Sequence, residues 1–514
     1  MIKIFMIKNK IYIVVAFLFV THFAQASEFD SLEYRAEASS TMSRHTTPLW
    51  LNSNRYGLSS LHAGNGYVRG GIFREESEES RKRDLGWSAG ADVAVAWNNT
   101  STLILQQLYA EGRWLHGTLT IGAKQQPMEL KNERLSSGSQ ALGINARPVP
   151  QVRIALPEYV KVFPWLGVKG HIAYGWLTDQ EWERDFAGSR GNRWSQDVRY
   201  HSKAGYLRLG KVGKPFSAEL GLEMAAEFGG VVHDPVVGDI HMGDGLKDYW
   251  DALIGGGSDP GEGIYGNVDG NQLGAYVFRL NYDREDWALH FYGDHFFEDH
   301  SAMFHLDYDG YHTDGDNIRE HVDRRYVVYD MKDMMLGVEL NLKKGTWVKD
   351  VVVEYLYTKY QSGPVYHDNS SQIADHIAGR DNYYNHGRYT GWQHWGMVMG
   401  NPLYRSPLYN SDHLIQVENN RFVAFHMGVY GEPMPTWSYR VLGSWEQSLG
   451  TYGNPYVPWR YDTSLLVEAA HTLSKGWCVK GGFGLDHGKL LGNNIGLQLT
   501  VTKRGLLRLK KNIR

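Results

Sequence analysis

The chain has 514 residues, enough for one large barrel or several soluble domains, and its formal net charge of −4 carries no nucleic-acid signature. It is rich in rings and glycine, with 17 Trp, 32 Tyr and 58 Gly, a mixture that suits membrane interfaces and equally suits sugar stacking. The single cysteine, Cys478, excludes an internal disulfide and reads as a buried thiol within a strand.

The N-terminus reads as a secretory signal. Lys3, Lys8 and Lys10 form a basic region, Ile11 to Val20 an apolar run, and Ala24-Gln25-Ala26 a small-x-small cleavage site. Residues 1–26 are therefore expected to be removed, leaving residues 27–514 as one domain. No Cys follows the apolar run, which argues against a lipoprotein anchor. Beyond it, no apolar run approaches the roughly 20 residues of a transmembrane helix. A membrane span here must be a closed β-barrel, because only helices and barrels satisfy their backbone in lipid. The mean hydropathy of −0.43 fits that reading, since barrel walls average apolar-out with polar-in.

Alternation recurs along the chain. Leu32–Thr41 and Tyr67–Arg74 are candidate strands, and Trp87–Trp97 is the longest clean example. There Trp87, Ala89, Ala91, Val93, Val95 and Trp97 make one apolar face with an indole at each end. Ten steps of about 3.3 Å give roughly 33 Å of strand, which spans roughly 25 Å of height when tilted by about 40°. Thr102–Gly112 follows, with Gln107 interrupting its apolar face, and then Leu115–Ala123, Val168–Trp176, Lys203–Gly210 and Phe216–Met224. The later candidates are Leu273–Tyr282, Trp287–Tyr292, Met334–Leu342, Val351–Tyr360, Arg421–Tyr430, Trp437–Glu446, Thr463–Thr472, Gly476–Asp486 and Asn494–Val501. The total is about 16–18 strands, within the range of bacterial barrels. Charged groups recur on the second face, which suits a polar lumen better than a dry sandwich core.

Short turns such as 98–101 and 282–285 alternate with long polar inserts at 124–146, 178–201, 227–271, 298–325 and 361–420. Short periplasmic turns and long surface loops are the outer-membrane pattern. Gly245–Leu253 is expected to form a short helix. The basic tail Lys503–Arg514 reads as a solvated, frayed terminus.

No nucleophile elbow, zinc-protease helix or P-loop is present. Asp294, His295, Glu298, Asp299 and His300 form the densest group suited to acid/base or metal chemistry. A hydrogen-bond network at the rim of the lumen is the preferred reading. Asp307, Asp309, Asp314 and Asp316 offer hard oxygen ligands but miss the EF-hand spacing at Tyr311, so no metal and no cofactor is assigned. The strongest recognition stretch is Gly379–Pro402. Tyr383, Tyr384, Tyr389, Trp392 and Trp395 offer rings, while Arg380, His386 and Arg388 offer polar and cationic groups. Sugars need both, since their C–H faces stack and their hydroxyls need partners to replace water. The glycan-binding candidates are Tyr383, Tyr384, Arg380, Arg388, Trp392, Trp395 and His386. The competing reading is a loop that packs its own rings.

Several stretches in order resemble the Wzi family of outer-membrane capsule-assembly proteins. They are TPLWLNSNRYG (47–57) with GNGYVRGG (64–71), LSSGS (135–139) with NARPVPQVRI (145–154), YLRLG (206–210) with GLE (221–223), HFFEDHS (295–301), and YYNHG (383–387) with GNPL (400–403). The resemblance implies an 18-stranded transmembrane antiparallel barrel with a minor helical part. It implies a non-enzymatic, lectin-like role in the Gram-negative outer membrane, holding capsular or exopolysaccharide, with outer-membrane lipid and other capsule-export components as partners. The alternatives are a channel for sugars or oligosaccharides, suggested by the polar faces, and a hydrolase using His295, Glu298 and Asp299.

Overall fold

The computed structural model describes residues 32–211, 213–255, 270–298, 310–311, 321–322, 332–361 and 381–507. The signal region therefore lies outside the described residues. Eighteen strands form one antiparallel sheet that closes on itself. The first nine are β1 (Leu32–Arg44), β2 (Gly64–Arg74), β3 (Leu85–Trp97), β4 (Leu103–Trp114), β5 (Gly117–Ala123), β6 (Gln151–Phe163), β7 (Leu166–Trp176), β8 (Arg199–Leu209) and β9 (Phe216–Phe228). The rest are β10 (Asn271–Asp283), β11 (Trp287–Glu298), β12 (Met334–Leu342), β13 (Asp350–Tyr357), β14 (Phe422–Met434), β15 (Trp437–Gly450), β16 (Pro455–Thr472), β17 (Trp477–Gly488) and β18 (Asn494–Leu507). Closure runs from Leu32 opposite Leu507 to Arg44 opposite Ile495. Lys503 and Arg504 thus belong to a full wall strand, and the expected frayed tail can begin only after Leu507.

All the connections at one end are short turns, the longest being residues 75–84. The strand ends joined by 45–63, 124–150, 177–198, 229–270, 299–333 and 358–421 are all at the other end. Outward positions carry exposed Val93, Val95, Leu105, Ile154, Leu220, Phe291, Val353, Phe425 and Leu499. A soluble surface does not leave so continuous an apolar band uncovered. Exposed Trp114, Trp165, Trp287, Trp437 and Trp477 ring the turn end, and Trp97, Trp445, Trp459 and Tyr461 lie toward the loop end. Two aromatic girdles around an apolar belt are what a bilayer selects.

Three details depart from the alternation reading. β3 pairs with β4 through a bulge, so that Asp92 faces Gln107 and Val93 faces Leu105. Gln106 and Gln107 are both buried while Leu105 and Leu108 stay exposed. The extra residue resets the strand's phase, which resolves the apparent break at Gln107. Trp87 is only 8% exposed against 46% for Trp97, because the Arg74 guanidinium lies 3.8 Å over its ring. That indole is therefore not a girdle residue. Finally, β6 has no clean alternation in sequence. Pro157 cannot donate to the ladder, and the register shifts between Leu156 and Val160.

The core sits inside the barrel. The four-residue helix Leu49–Asn52 is wholly buried, and Leu49 N–H donates to Asp486 Oδ2 at 3.1 Å. It lies so close to the wall that a Cβ on Gly484 would come within 2.7 Å of Leu51 Cγ, so only glycine serves there. Residues 124–150 and 381–421 pack against the same core, with Leu135, Tyr384, Trp392 and Tyr404 against wall residues Tyr206, Phe422, Leu442 and Leu466. The predicted short helix is present as Leu246–Ile254.

Candidate functional site

The wall carboxylates hold the inserts in place. Glu354 accepts hydrogen bonds from Ser136 Oγ at 2.6 Å, Ser137 N–H at 2.8 Å and Tyr292 Oη at 2.6 Å. Lys131 Nζ lies 2.6 Å from Asp294 Oδ1. Glu298 accepts from Tyr384 N–H at 2.5 Å, and His295 Nδ1 lies 2.8 Å from the Asp333 carbonyl. Asp294, His295 and Glu298 therefore serve as anchors in a hydrogen-bond network. Asp299, His300, Asp307, Asp309, Asp314 and Asp316 lie outside the described residues.

The aromatic loop turns inward. Tyr383 and Tyr384 are fully buried; Tyr383 Oη donates to Asp333 at 2.8 Å and Tyr384 Oη to the Gln140 carbonyl. Trp392 Nε1 donates to the Ala141 carbonyl at 3.0 Å, and its ring stacks on Tyr200 at 5.8 Å and 17°. Trp395 is covered by the Arg147 guanidinium 4.0 Å above its ring. Tyr384 and Trp395 have φ of 68° and 58°, left-handed conformations that persist in bulky residues only when packing over-determines them. His386 and Arg388 are half-buried at the loop end, where His386 Nδ1 accepts the Arg388 and Tyr389 N–H groups at 3.1 and 3.2 Å. Arg380 lies outside the described residues. The loop's large rings are thus spent on the protein's own interior, while its half-buried polar groups remain near solvent.

What the packing leaves is a cleft of about 740 Å³, open in part to solvent, between the 124–150 insert and the inner faces of β6 to β9. Its rings are Tyr56, Tyr200, Tyr206 and Trp392; its polar groups include Gln151, Arg153, His171 and Ser202. Trp392 is thus a candidate from the sequence that reaches this cleft, whereas Trp395 lines a smaller cavity beside Glu183 and His394.

Arg153 gives the cleft its charge character. Its guanidinium makes no hydrogen bond or ion pair with any described residue. The nearby acids are engaged elsewhere: Glu129 with Lys169 at 2.5 Å, Glu111 with Lys124 at 2.7 Å, and Glu223 with Tyr206 Oη at 2.8 Å. Arg147, also in the lining, is held by Ser101 Oγ at 2.9 Å and Thr100 Oγ1 at 2.7 Å. Among the described residues, Arg153 is therefore a lining cation with no hydrogen-bonded partner, close to Glu129 and Glu111, and is placed to meet an incoming acceptor. Sequence reading missed Arg153 because it lies in the strand that the alternation test passed over.

The small cavity behind the helix Trp182–Phe186 is of another kind. Glu183 accepts from Ser195 N–H at 2.8 Å, Thr390 Oγ1 at 3.1 Å and Gln393 Nε2 at 2.6 Å. Burial, with Asp179 nearby, pushes its carboxyl up to about 8. Fully enclosed groups of this sort brace the loops together. No group of three or more metal-ligating side chains occurs among the described residues.

The sequence matches no family model and no curated protein. Among solved structures the chain is similar to OccAB4 of Acinetobacter baumannii, with 8% identity over 94% of this chain and 99% of that one and a TM-score of 0.46. It is also similar to OprD of Pseudomonas aeruginosa, with 9% identity over 93% and 95% and a TM-score of 0.43. A further similar structure is Wzi of Escherichia coli, an outer-membrane protein involved in group 1 capsule assembly and described as a carbohydrate-binding β-barrel. The identity is 12% over 91% of this chain and 83% of that one, and the TM-score is 0.54. At that identity the likeness establishes the architecture, and the chain is a closed 18-stranded barrel of the outer-membrane type.

Proposed function

We propose that this protein is an exported outer-membrane barrel of the Wzi type that retains capsular or exopolysaccharide at the cell surface by binding it, without catalysis. The observation that carries the reading is the cleft, where the half-buried Tyr56 ring stands with Gln151, Arg153 and Ser202 over a floor formed by the buried Tyr200 and Trp392 rings. Rings for C–H faces and hydrogen-bonding groups for hydroxyls are what saccharide recognition demands. Further support comes from the ordered sequence motifs and from a similar structure that is described as carbohydrate-binding. The signal at residues 1–26 supplies the route of export. The packing of residues 49–52, 124–150 and 381–421 inside the barrel favours this reading over a sugar channel, because a barrel of 16–18 strands conducts when its interior is left to water.

The test is glycan binding by the purified, detergent-folded protein, paired with capsule retention in a deletion strain. Tyr56→Ala and Gln151→Ala are expected to weaken binding at least several-fold while leaving the barrel folded. Absence of saccharide binding, together with a capsule that stays fully cell-bound after deletion, would refute the proposal.

A further inference from the structure

The helix Leu246–Ile254 lies outside the barrel. Strand alternation establishes this. Exposed Ile172, Leu207 and Leu220 mark the outward phase of β7, β8 and β9, and Tyr174, Lys203 and Phe228 share that phase. The helix packs on those three. Tyr249 meets Tyr174 at 5.3 Å and Phe228 edge-on at 5.0 Å. Tyr174 Oη donates to the Tyr249 carbonyl at 2.8 Å. Lys203 Nζ donates to the Ala252 carbonyl at 3.1 Å and to the Leu253 carbonyl.

The far side of the helix is apolar. Leu246, Trp250 and Ile254 are 91%, 60% and 58% exposed. Spaced four apart, they form one stripe facing away from the wall. Next to it, Lys247 pairs with Asp251 at 2.5 Å.

We infer that this helix lies in the boundary of the outer leaflet and that lipid is the occupant of its exposed stripe. Two features argue for lipid over water or protein. The stripe continues the apolar belt at the loop ends of the very strands whose own outward residues turn polar at His201 and Lys203. A cation facing acyl chains is costly. The helix covers it, satisfies it with its last carbonyls, where the macrodipole also favours a positive charge, and substitutes Leu246, Trp250 and Ile254 for the missing wall hydrophobes. An amphipathic helix with such a face buries it about 5–10 Å into the headgroup–acyl boundary.

The experiment uses the full mature chain with Cys478→Ser, reconstituted in phosphatidylcholine vesicles. Nitroxide labels are placed singly through Leu246→Cys, Trp250→Cys and Ile254→Cys, with Leu207→Cys as the belt reference and Lys247→Cys as the polar reference. Power saturation is expected to show the three stripe labels more accessible to oxygen than to a nickel chelate, as at Leu207, with the reverse at Lys247. Stripe labels that favour the nickel chelate would overturn the inference. So would spin–spin broadening that vanishes on dilution with unlabelled protein, since that would put a second copy on the stripe. The unlabelled chain gives an independent reading: in vesicles of brominated phosphatidylcholine, the emission lost in Trp250→Phe should be strongly quenched in the parent, and unquenched emission would likewise sink the inference.

Discussion

Lys131 Nζ sits 2.6 Å from Asp294 Oδ1, with both side chains about 1% exposed. Asp294 belongs to β11 and Lys131 to the 124–150 insert, so this pair, the most deeply buried of the three that join the insert to the wall, ties the interior segment to β11. Removing one partner strands a buried charge, which costs roughly 3–5 kcal/mol, whereas replacing the pair with apolar residues is far milder. Asp294→Leu alone is expected to destabilise the chain by about that amount. Adding Lys131→Met should restore much of the loss. Denaturant midpoints of the detergent-folded single and double variants measure the coupling, and additive single effects would count against the tether.

The segments packed inside the barrel predict low conductance. In planar bilayers the intact protein should conduct far less than an open barrel of its strand number. Deleting residues 129–145, which carry the contacts to Asp294 and Glu354, should raise single-channel conductance several-fold. Large, steady openings from the intact chain would favour the transport reading.

Arg153 predicts charge selectivity at the cleft. A carboxylated oligosaccharide should bind more tightly than a neutral one of equal length. Arg153→Gln should lower affinity for the acidic probe about tenfold, or roughly 1.4 kcal/mol, and leave the neutral probe nearly unchanged. Isothermal titration with an oligouronate and with a maltooligosaccharide distinguishes the two. Equal losses for both would assign Arg153 to scaffolding.

Glu183 predicts a pH dependence in the loops. Its carboxyl is held at about 8 when folded against an ordinary value of 4.5, so the folded state binds the proton more tightly than the unfolded one. The stabilisation is therefore whole below about pH 4.5 and is lost as pH rises through about 8, at roughly 1.4 kcal/mol per unit within that window. Hydrogen exchange around Trp182–Phe186 and residues 390–398 should quicken from pH 5 to pH 8 beyond the intrinsic rate. Glu183→Gln, which keeps the Thr390 and Gln393 partners, should flatten the trend.

The wall was legible because strand orientation is a local property. Val93, Val95 and Trp97 face out and Asp92, Ala94 and Ala96 face in, as every-other-residue reading requires. The one-sided distribution of long inserts was legible for the same reason, since each strand reverses the chain's direction. What failed locally failed at Pro157 and at the Gln106–Gln107 bulge, where a single residue changes the phase.

The fate of the loops was decided only in three dimensions. Trp392 and Ala141 meet across 251 residues of chain, as do Tyr384 and Gln140 across 244. Nothing near Gly379–Pro402 distinguishes rings that greet a sugar from rings that fill a lumen, because the composition for both is the same. The difference lies in the width of the closed wall and in Glu298, Asp294 and Glu354 waiting on its inner face. Alternation along the chain thus determined the barrel and its two faces, while closure of eighteen strands around an interior that had to be packed decided where the aromatic loop went and left Arg153 half-buried in the lining of the cleft.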